Sequence, residues 1–326
     1  MREIVVFSGS AHPDLAESVC SHLGVPLSPT TIHRFSNGCM QVQLKENCRE
    51  RDVFIIQPLV PPVHDHLMEL LQMLDAARGA SASRVTAVIP YYGYSRSDKK
   101  DAPRISIAGR LTADLLVTAG ANRILTMTLH VPQVHGFFSV PVDHLEALDI
   151  LAGHFRDRDL SNTVVVSPDF GRAKDAAYVG RLLGIPVAAG NKQRISDTEV
   201  VIDTIVGDVD GKDAIVIDEE IATGGSILTI LDRLSERGVK RKSVVCTHGL
   251  FTGAAPERFR ARSDVTEFVT TDTVSSYRDT GIPNLSVLSV APLLGEAMRR
   301  IHGGESVSSL FAGPEWASDA ARQVRV

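Results

Sequence analysis

Short apolar runs rich in β-branched residues alternate along the chain with segments whose apolar residues recur at helical intervals. The apolar runs, each predicted to be a strand, are Ile4–Phe7, Val53–Ile56, Val85–Ile89, Ile124–Met127, Val164–Val166, Ala214–Ile217 and Ser243–Cys246. The helical period is clearest in Asp65–Arg78 and Ser226–Arg237. Strands that alternate with helices are typical of βαβ units. The pattern therefore predicts an α/β fold with mainly parallel sheets flanked by helices, and we expect five strands in each sheet.

The two halves of the chain resemble each other. Val6–Ser8 leads into a helical pattern that ends in Leu-Gly-Val-Pro at 23–26, and Val165–Ser167 leads into one that ends in Leu-Gly-Ile-Pro at 183–186. A second match, in the same order, relates the strands at 54–56 and 215–217. Ordered internal matches indicate a duplication. We therefore expect two homologous α/β domains, at 1–147 and 148–311, followed by a loosely ordered tail at 312–326.

Composition and charge narrow the class of protein. The 326 residues include 34 Lys and Arg against 39 Asp and Glu, which gives a net charge of −5. A nonspecific nucleic-acid binder normally carries a basic surplus, which this chain lacks. Its apolar runs are too short for a membrane span or a signal peptide, and its four cysteines show no Cys-x-x-Cys spacing. We expect a cytoplasmic protein with free thiols that binds neither nucleic acid nor membranes.

The strongest local signal follows the predicted strand Ala214–Ile217. The strand leads into the acids Asp218 and Glu219, and a helix then opens with Ala222, Thr223, Gly224, Gly225 and Ser226. Backbone N–H groups that converge at a helix N-terminus bind phosphate, and glycine lets the anion approach closely. The two carboxylates would then face sugar hydroxyls. The alternative is an acidic strand end before an ordinary helix cap, but the combined sequence favours a sugar-phosphate site.

Further motifs stand in a fixed order along the chain. They are Arg34–Gly38, Pro90–Asp101, Thr126–His130, Gly136–Phe138, Pro141–His144, Val166–Asp169, Cys246–Gly249 and Gly304–Phe311. Together with the acidic loop they resemble the ribose-phosphate diphosphokinases, or phosphoribosyl pyrophosphate synthetases, of the phosphate-dependent class. The resemblance implies two domains of the phosphoribosyltransferase type. It also implies an enzyme that transfers the diphosphoryl group of Mg-ATP, or of another nucleoside triphosphate, to the anomeric hydroxyl of ribose 5-phosphate.

The resemblance further implies which residues form the site. The nucleotide would be bound by Phe35, Asn37, Cys39, Arg96, Ser97 and Asp98. Asp218, Glu219 and the loop Ala222–Ser226 would bind ribose 5-phosphate, and His130 and Asp169 would contact Mg²⁺. Lys192 and Arg194 would be catalytic cations on a mobile loop that closes over the polyphosphate. Without the resemblance, His130 would be interpreted as a structural histidine and Asp169 as a helix N-cap.

Assembly and regulation are implied in the same way. A homo-oligomer is expected, with a hexamer as its size, and inorganic phosphate as an activator or ADP would bind between subunits. The residues expected there are Arg49, Ser81, Arg104, Ser306 and Ser308. Arginine and hydroxyl donors suit a tetrahedral anion. Asn47 stands where a hydroxyl is usual, which predicts a weaker site.

The chain departs from the family pattern at a few positions. Cys39, Ser97, Thr128 and Arg172 stand where Glu, Gln, Asp and Gly are usual, and Ala222 stands where Asp is common. The first two changes predict a relaxed choice of nucleotide. Two alternatives remain, namely a weakened paralogue that assembles with an intact synthetase and a phosphoribosyltransferase that shares the acidic loop. The retained metal and cationic residues argue against the first, and the lack of a hood for a nitrogenous acceptor argues against the second.

Overall fold

The predicted strands and helices are confirmed in a computed structural model of the chain, which describes residues 3–194 and 200–311. The side chains of 192–194, 200–203 and 311 lie outside this description, as does the expected tail at 312–326. The strands are β1 (Ile4–Ser8), β2 (Leu27–Ser28), β3 (Thr30–Arg34), β4 (Met40–Leu44), β5 (Asp52–Ile56), β6 (Arg84–Ile89), β7 (Arg123–Met127), β8 (Val142–Leu145), β9 (Thr163–Ser167), β10 (Val187–Arg194), β11 (Val200–Val206), β12 (Asp213–Ile221), β13 (Lys242–Gly249), β14 (Val265–Thr271) and β15 (Leu285–Leu288).

The helices follow the strands as the alternating pattern predicts. They are α1 (Pro13–Leu23), α2 (Val63–Gly79), α3 (Ala108–Ala119), α4 (Leu148–Gly153), α5 (Ala173–Leu183), α6 (Gly225–Glu236), α7 (Ala255–Arg260) and α8 (Ala291–Gly303). Short 3₁₀ turns occur at Pro132–Phe137, Phe170–Arg172, Ser276–Asp279 and Ser308–Phe311. Within residues 3–194 and 200–311, each helix is too short or too polar to cross a bilayer.

The main strands form one sheet in each of two units. The first unit runs to Glu146 and also includes the segment that starts at Val290, whereas the second runs from Ala147 to Ser289. The first sheet has the order β2-β1-β5-β6-β7-β8, and the second has the order β11-β10-β9-β12-β13-β14-β15. Neighbouring strands are parallel, apart from β10 and β11.

Mainly parallel sheets are thus confirmed, but the expectation of five strands in each was wrong. The described residues form sheets of six and seven strands. The additional strands are β2 and β8 in the first sheet and β10, β11, β14 and β15 in the second, all at or near the sheet edges. The edge strand β2 has only 2 residues, which is too short for a readable alternation.

The duplication is visible in the backbone of each unit. Helices α1 and α5 both have 11 residues and both end before a left-handed glycine, with φ of 69° at Gly24 and 70° at Gly184. Such a glycine is a common helix terminator because it has no Cβ to clash. The order β2-β1-β5-β6-β7-β8 in the first sheet recurs as β10-β9-β12-β13-β14-β15 in the second. The same connectivity in both units supports a common origin.

The last helix, α8, belongs to the first unit, although the sequence interpretation assigned 148–311 to the second domain. Helix α8 packs on α1, where a Cβ on Gly295 would lie only 2.6 Å from the ring of His22. A buried ionic cluster also holds it. His302 Nδ1 lies 2.9 Å from Asp52 Oδ2, and Arg84 bonds both Asp52 and the carbonyl of Ile301. Because these contacts span more than two hundred residues of sequence, no local pattern indicates them.

We expect Asp52→Asn to lower the free energy of unfolding by about 3–5 kcal/mol, because a buried ion pair that loses one partner leaves the other charge uncompensated. The Asp52 side chain is 3% exposed. Asp75→Asn is the matched control, since Asp75 pairs with Arg78 at the surface and is 68% exposed. Its expected cost is about 0–1 kcal/mol. Urea denaturation of both variants measures the difference, and equal costs would contradict the proposed anchoring of α8.

Candidate functional site

Several candidate residues lie at or just beyond the carboxyl ends of parallel strands. His130 follows β7 in the first unit, and Asp169 follows β9 in the second. Asp218 and Glu219 lie near the end of β12, also in the second unit. Ligands of open α/β sheets bind beyond these strand ends. The fold therefore places polar residues where a ligand site is expected in each unit.

The predicted loop between β12 and a helix N-terminus is confirmed. Strand β12 ends at Ile221, and α6 begins at Gly225 after the N-cap residue Gly224. The N–H groups of Phe251 and Thr252 each donate a 2.9 Å hydrogen bond to the carbonyls of Ile221 and Ala222, which fixes the start of the loop. The first N–H groups of a helix have no partner within it, and glycine has no side chain to cap them. This geometry suits a bound phosphate.

The two glycines of the loop have different structural roles. Gly224 has φ of 74°, and a Cβ there would lie 2.5 Å from Cζ of Phe259. A side chain at this position would therefore strain the backbone and displace a buried ring. Gly225 has no atom within 4 Å of the corresponding position. Gly224 is required by the fold itself, whereas the space beside Gly225 is open.

The two acids at the end of β12 are in different surroundings. Asp218 is half-buried, and its Oδ1 accepts a 2.9 Å hydrogen bond from the backbone N–H of Glu219. Burial first, and then the hydrogen bond and charge of Glu219, raise the pKa of Asp218 well above its usual value. Glu219 is 8% exposed, and its Oε2 lies 2.7 Å from Nε of Arg172. The end of β12 thus carries two coupled carboxyl groups, one of which is ion-paired.

Sequence reasoning missed this ion pair. It noted Arg172 only as a departure from glycine and assigned it no role. Arg172 also pairs with Asp175 at the start of α5, with Nη1 and Oδ2 separated by 3.1 Å. An arginine three residues after the candidate Asp169 was the available signal. The sequence does not indicate which acid that arginine would reach.

Asp169 acts as a helix cap. Its Oδ1 accepts a 3.0 Å hydrogen bond from the N–H of Gly171, at the 3₁₀ turn Phe170–Arg172. Ser167 Oγ donates a 2.9 Å hydrogen bond to the carbonyl of Asp169. The alternative interpretation of Asp169 as an N-cap is therefore confirmed. Contact of its carboxylate with a metal ion stays a prediction.

The segment before His130 is held by the neighbouring strand β8. Thr128 has φ of 41°, an unfavourable conformation for a β-branched residue. Its Oγ1 donates a 3.1 Å hydrogen bond to Glu146 Oε2, and its N–H donates a 2.9 Å hydrogen bond to the carbonyl of Leu145. Strained residues of this kind persist where the surroundings fix them, often at functional sites. The position of His130 is thus set by β8 as well as by β7.

No group of three metal-ligating side chains gathers in the part of the chain that the structure describes. Mg²⁺ at nucleotide sites is usually held by one or two carboxylates together with substrate phosphates and water. The carboxylate of Asp169 in the second unit suits such a role. This donor chemistry fits a metal ion that arrives with the nucleotide, and a metal contact of His130, which belongs to the first unit, stays a prediction.

Three of the nucleotide candidates lie in the turn of the β3–β4 hairpin. Phe35 is 46% exposed, and its ring meets the edge of His33 at 4.6 Å between centroids. Asn37 Oδ1 accepts a 3.0 Å hydrogen bond from the N–H of Cys39, which shapes the turn. Cys39 is exposed. The hairpin therefore presents an aromatic face and a thiol to solvent, as a base-stacking role for Phe35 requires.

Ser97 has a structural partner. Its Oγ accepts a 2.9 Å hydrogen bond from the N–H of Ala108, the first residue of α3, and its carbonyl accepts a 3.0 Å bond from Gly109. Its neighbours Arg96 and Asp98 are exposed and half-buried, respectively. The hydroxyl of Ser97 thus serves the start of α3. A role for Ser97 in choosing the base stays a prediction.

Lys192 and Arg194 were expected on a loop, but the structure places both in β10. There they pair with Ile202 and Val200 of the antiparallel strand β11, next to a register shift between Asn191 and Lys192. Strand β11 is apolar, with Val or Ile at five of its seven positions, but the end of β10 at Asn191–Arg194 is polar and gives no apolar strand signal. The side chains of both cations lie outside the described residues, so their catalytic role stays a prediction.

The candidate residues for regulation form two local pairs. Arg49 forms an isolated antiparallel β-bridge with Ala82, the residue after Ser81. The N–H of Ser308 donates a 3.1 Å hydrogen bond to Ser306 Oγ. Arg104 has φ of 63°. Arg49, Ser81, Arg104, Ser306 and Ser308 are all exposed. Exposure is compatible with an anion site, and its formation stays a prediction.

Comparisons with known proteins give the same family for both halves of the chain. Residues 4–120 match the model of the N-terminal domain of ribose phosphate pyrophosphokinase, and residues 202–312 match that of the phosphoribosyl synthetase-associated domain. The ribose-phosphate pyrophosphokinase of Deinococcus radiodurans is 50% identical over 94% of this chain and 98% of that protein. A Streptomyces coelicolor protein to which the same name is provisionally given is 63% identical over 95% and 98%. The crystal structure of phosphoribosylpyrophosphate synthetase from Mycobacterium smegmatis has a TM-score of 0.87 and 39% identity, and covers 93% of this chain and 100% of that one.

We expect Gly225→Ala to weaken binding of ribose 5-phosphate by about tenfold or more, a change of about 1.4 kcal/mol, because the added methyl enters the open space beside the helix N-terminus. Calorimetric titration measures the affinity, and thermal unfolding reports on the fold. Gly79→Ala is the matched control, since it also adds a methyl into open space on a helix but belongs to the first unit. Equal affinity in both variants would reject the loop as the phosphate site.

Proposed function

The chain belongs to the ribose-phosphate pyrophosphokinase family, and from this premise we propose that ATP is its diphosphoryl donor and ribose 5-phosphate its acceptor. The product is then phosphoribosyl pyrophosphate. The observation that carries the proposal is the acidic end of β12 followed by the glycine-rich start of α6, within a chain that matches the family along nearly its whole length. Similarity across both halves favours a synthetase over a phosphoribosyltransferase.

In this proposal the second unit binds ribose 5-phosphate. The 5-phosphate lies at the N-terminus of α6, where N–H groups and the helix dipole favour an anion. The carboxylate of Glu219 accepts a hydrogen bond from one ribose hydroxyl, and the carboxyl group of Asp218 forms a hydrogen bond with another. Both acids lie on a part of β12 that is still paired with β13, although its pairs with β9 end at Val216, so backbone hydrogen bonds on one side hold them before the sugar binds. Preorganised acceptors of this kind reduce the entropic cost of binding.

The chemistry requires charge to be stabilised on the polyphosphate. The anomeric oxygen attacks the β-phosphorus, the bond from that phosphorus to the α–β bridging oxygen breaks, and AMP leaves while the hydroxyl proton is released. When bound, Mg²⁺ supplies positive charge to the phosphate oxygens. His130 and Asp169 would hold the metal ion through water or directly. Lys192 and Arg194 would donate hydrogen bonds where charge develops, the usual source of the largest catalytic effect.

The remaining parts of the proposal concern assembly and regulation. We expect a homo-oligomer, with a hexamer as its size, and activation by inorganic phosphate at an anion site that includes Arg49 and Ser81. An arginine beside exposed hydroxyl groups is a suitable anion site. Phe35 is exposed on its hairpin, so it is available to stack on a base.

The direct test is an assay of the purified protein with ribose 5-phosphate and ATP, following phosphoribosyl pyrophosphate and AMP together. We expect Lys192→Ala to lower kcat by several orders of magnitude with little change in KM for ribose 5-phosphate, since the lost interaction belongs to the transition state. Lys240→Ala, which removes an exposed lysine from a turn of the same unit, is the control and should retain full kcat. A Lys192→Ala enzyme with normal kcat would remove Lys192 from the mechanism, and wild-type protein that forms no product would reject the function.

We expect the choice between ATP and GTP to be weak in the wild type and stronger in Cys39→Glu, by about tenfold. A glutamate supplies an acceptor for the 6-amino group of adenine, and a hydrogen bond to this group discriminates between bases where the bound nucleotide excludes water from it. Cys39 is changed alone because Ser97 is needed by α3. The ratio of kcat/KM for the two nucleotides measures the effect, with Cys39→Ala as the control that adds no acceptor. The same ratio in all three proteins would show that residue 39 does not select the base.

A further inference from the structure

A nearly buried carboxylate pairs with an arginine at the proposed sugar site. Glu219 is 8% exposed, and its Oε2 lies 2.7 Å from Nε of Arg172. The Arg172 side chain is itself only 15% exposed. Burial of a carboxylate without a nearby cation favours its neutral form. The pairing with Arg172 therefore keeps Glu219 charged in a place that would otherwise disfavour the charge.

Arg172 is in turn fixed from a second side. Its Nη1 lies 3.1 Å from Oδ2 of Asp175, in the first turn of α5. Arg172 also ends the 3₁₀ turn that Asp169 caps. One guanidinium thus links the segment after β9, the start of α5 and the end of β12. A planar group with several fixed donors suits this bridging role better than the flexible ammonium of a lysine does.

Carboxyl groups outnumber the guanidinium around Arg172. Asp175, Asp218 and Glu219 place three carboxyl groups near one guanidinium, and Asp218 interacts directly with Glu219. Two neighbouring carboxyl groups without a cation tend to share a proton, and each then accepts fewer hydrogen bonds. Removal of Arg172 would therefore change both the charge and the orientation of Glu219.

We propose that Arg172 is a positioning residue of the sugar site, which fixes the carboxylate of Glu219 as an acceptor for the ribose hydroxyls. This role rests on the proposed function, because it assigns Glu219 to the sugar. Arg172 acts through Glu219 and does not itself contact ribose 5-phosphate. The affinity for the sugar phosphate therefore depends on Arg172, whereas KM for ATP does not.

Direct binding of ribose 5-phosphate, measured by calorimetry without nucleotide, tests the role. Arg172→Met removes the charge and keeps much of the length, and we expect its dissociation constant to rise about tenfold or more. Arg172→Lys keeps a cation without the fork and should recover part of the affinity. Arg241→Met is the matched control, because Arg241 pairs with Asp213 at the opposite end of β12 and is 70% exposed. It should bind like the wild type, and KM for ATP should stay within about twofold in all variants.

A double-mutant cycle with Glu219→Gln separates positioning from direct contact. If Arg172 acts through Glu219, the Arg172→Met, Glu219→Gln protein should bind no more weakly than the weaker of the two single variants. Losses that add fully would assign Arg172 its own contact with the ligand and overturn the proposal. Wild-type affinity in Arg172→Met would overturn it too. If Arg172→Met does not fold, wild-type affinity in Arg172→Lys has the same consequence, since the fork is then dispensable.

Binding of ribose 5-phosphate by the wild-type protein distinguishes failure of the proposed function from failure of the role of Arg172. Wild-type protein that binds no ribose 5-phosphate would overturn the proposed function and the role of Arg172 with it. Normal wild-type binding together with normal binding by Arg172→Met would overturn only the role of Arg172. The proposal is supported when wild-type binding is normal, Arg172→Met is impaired and the losses in the double variant do not add.

Discussion

Backbone pairing of β12 holds the candidate sugar site in place. Strand β12 is parallel to β9 on one side and to β13 on the other, and Ala214–Ile217 are buried between the layers of the second unit. A central parallel strand has little freedom to shift, since its hydrogen bonds and its packing would be lost together. Its carboxyl end, which stays paired with β13 beyond the last pair with β9 at Val216, therefore presents Asp218, Glu219 and the start of α6 in a defined arrangement. The chemistry that we propose for the second unit depends on this constraint.

The corresponding strand end in the first unit has a structural role. Strand β5 is the counterpart of β12. Gln57, directly after β5, occupies the position that corresponds to Asp218. Gln57 is fully buried, its Oε1 accepts a 3.1 Å bond from the N–H of Ala11, and its Nε2 donates a 2.9 Å bond to Glu69. A Cβ on Gly9 would lie 2.3 Å from the same amide. A structural hydrogen-bond network thus fills the space that an open loop has in the second unit.

Departures from the family pattern have local partners in this chain. Ser97 bonds the first residue of α3, Thr128 bonds Glu146, and Arg172 pairs with Glu219. In each case the polar side chain forms a hydrogen bond or an ion pair with a nearby group of the folded chain. Such changes affect their neighbours first, so their effect on function is best understood through those neighbours. Arg172 illustrates the point most directly, because its neighbour is a proposed sugar ligand.

The sequence by itself determined the features that depend on local patterns. Continuous apolar runs predicted β5 and β9, and the acids before Gly224 and Gly225 predicted a loop at a helix N-terminus. These signals are readable because side-chain period and glycine conformation act over a few residues.

Only the tertiary structure decided the features that join distant positions. Helix α8 belongs to the first unit because His302 and Ile301 meet a cluster around Asp52, and Arg172 reaches Glu219 across the sheet edge. The polar end of β10 likewise becomes a strand through backbone pairing with β11, which its own residues do not indicate. Ion pairs and strand pairing choose their partners by distance in the folded chain, and the order of residues along it does not contain that distance.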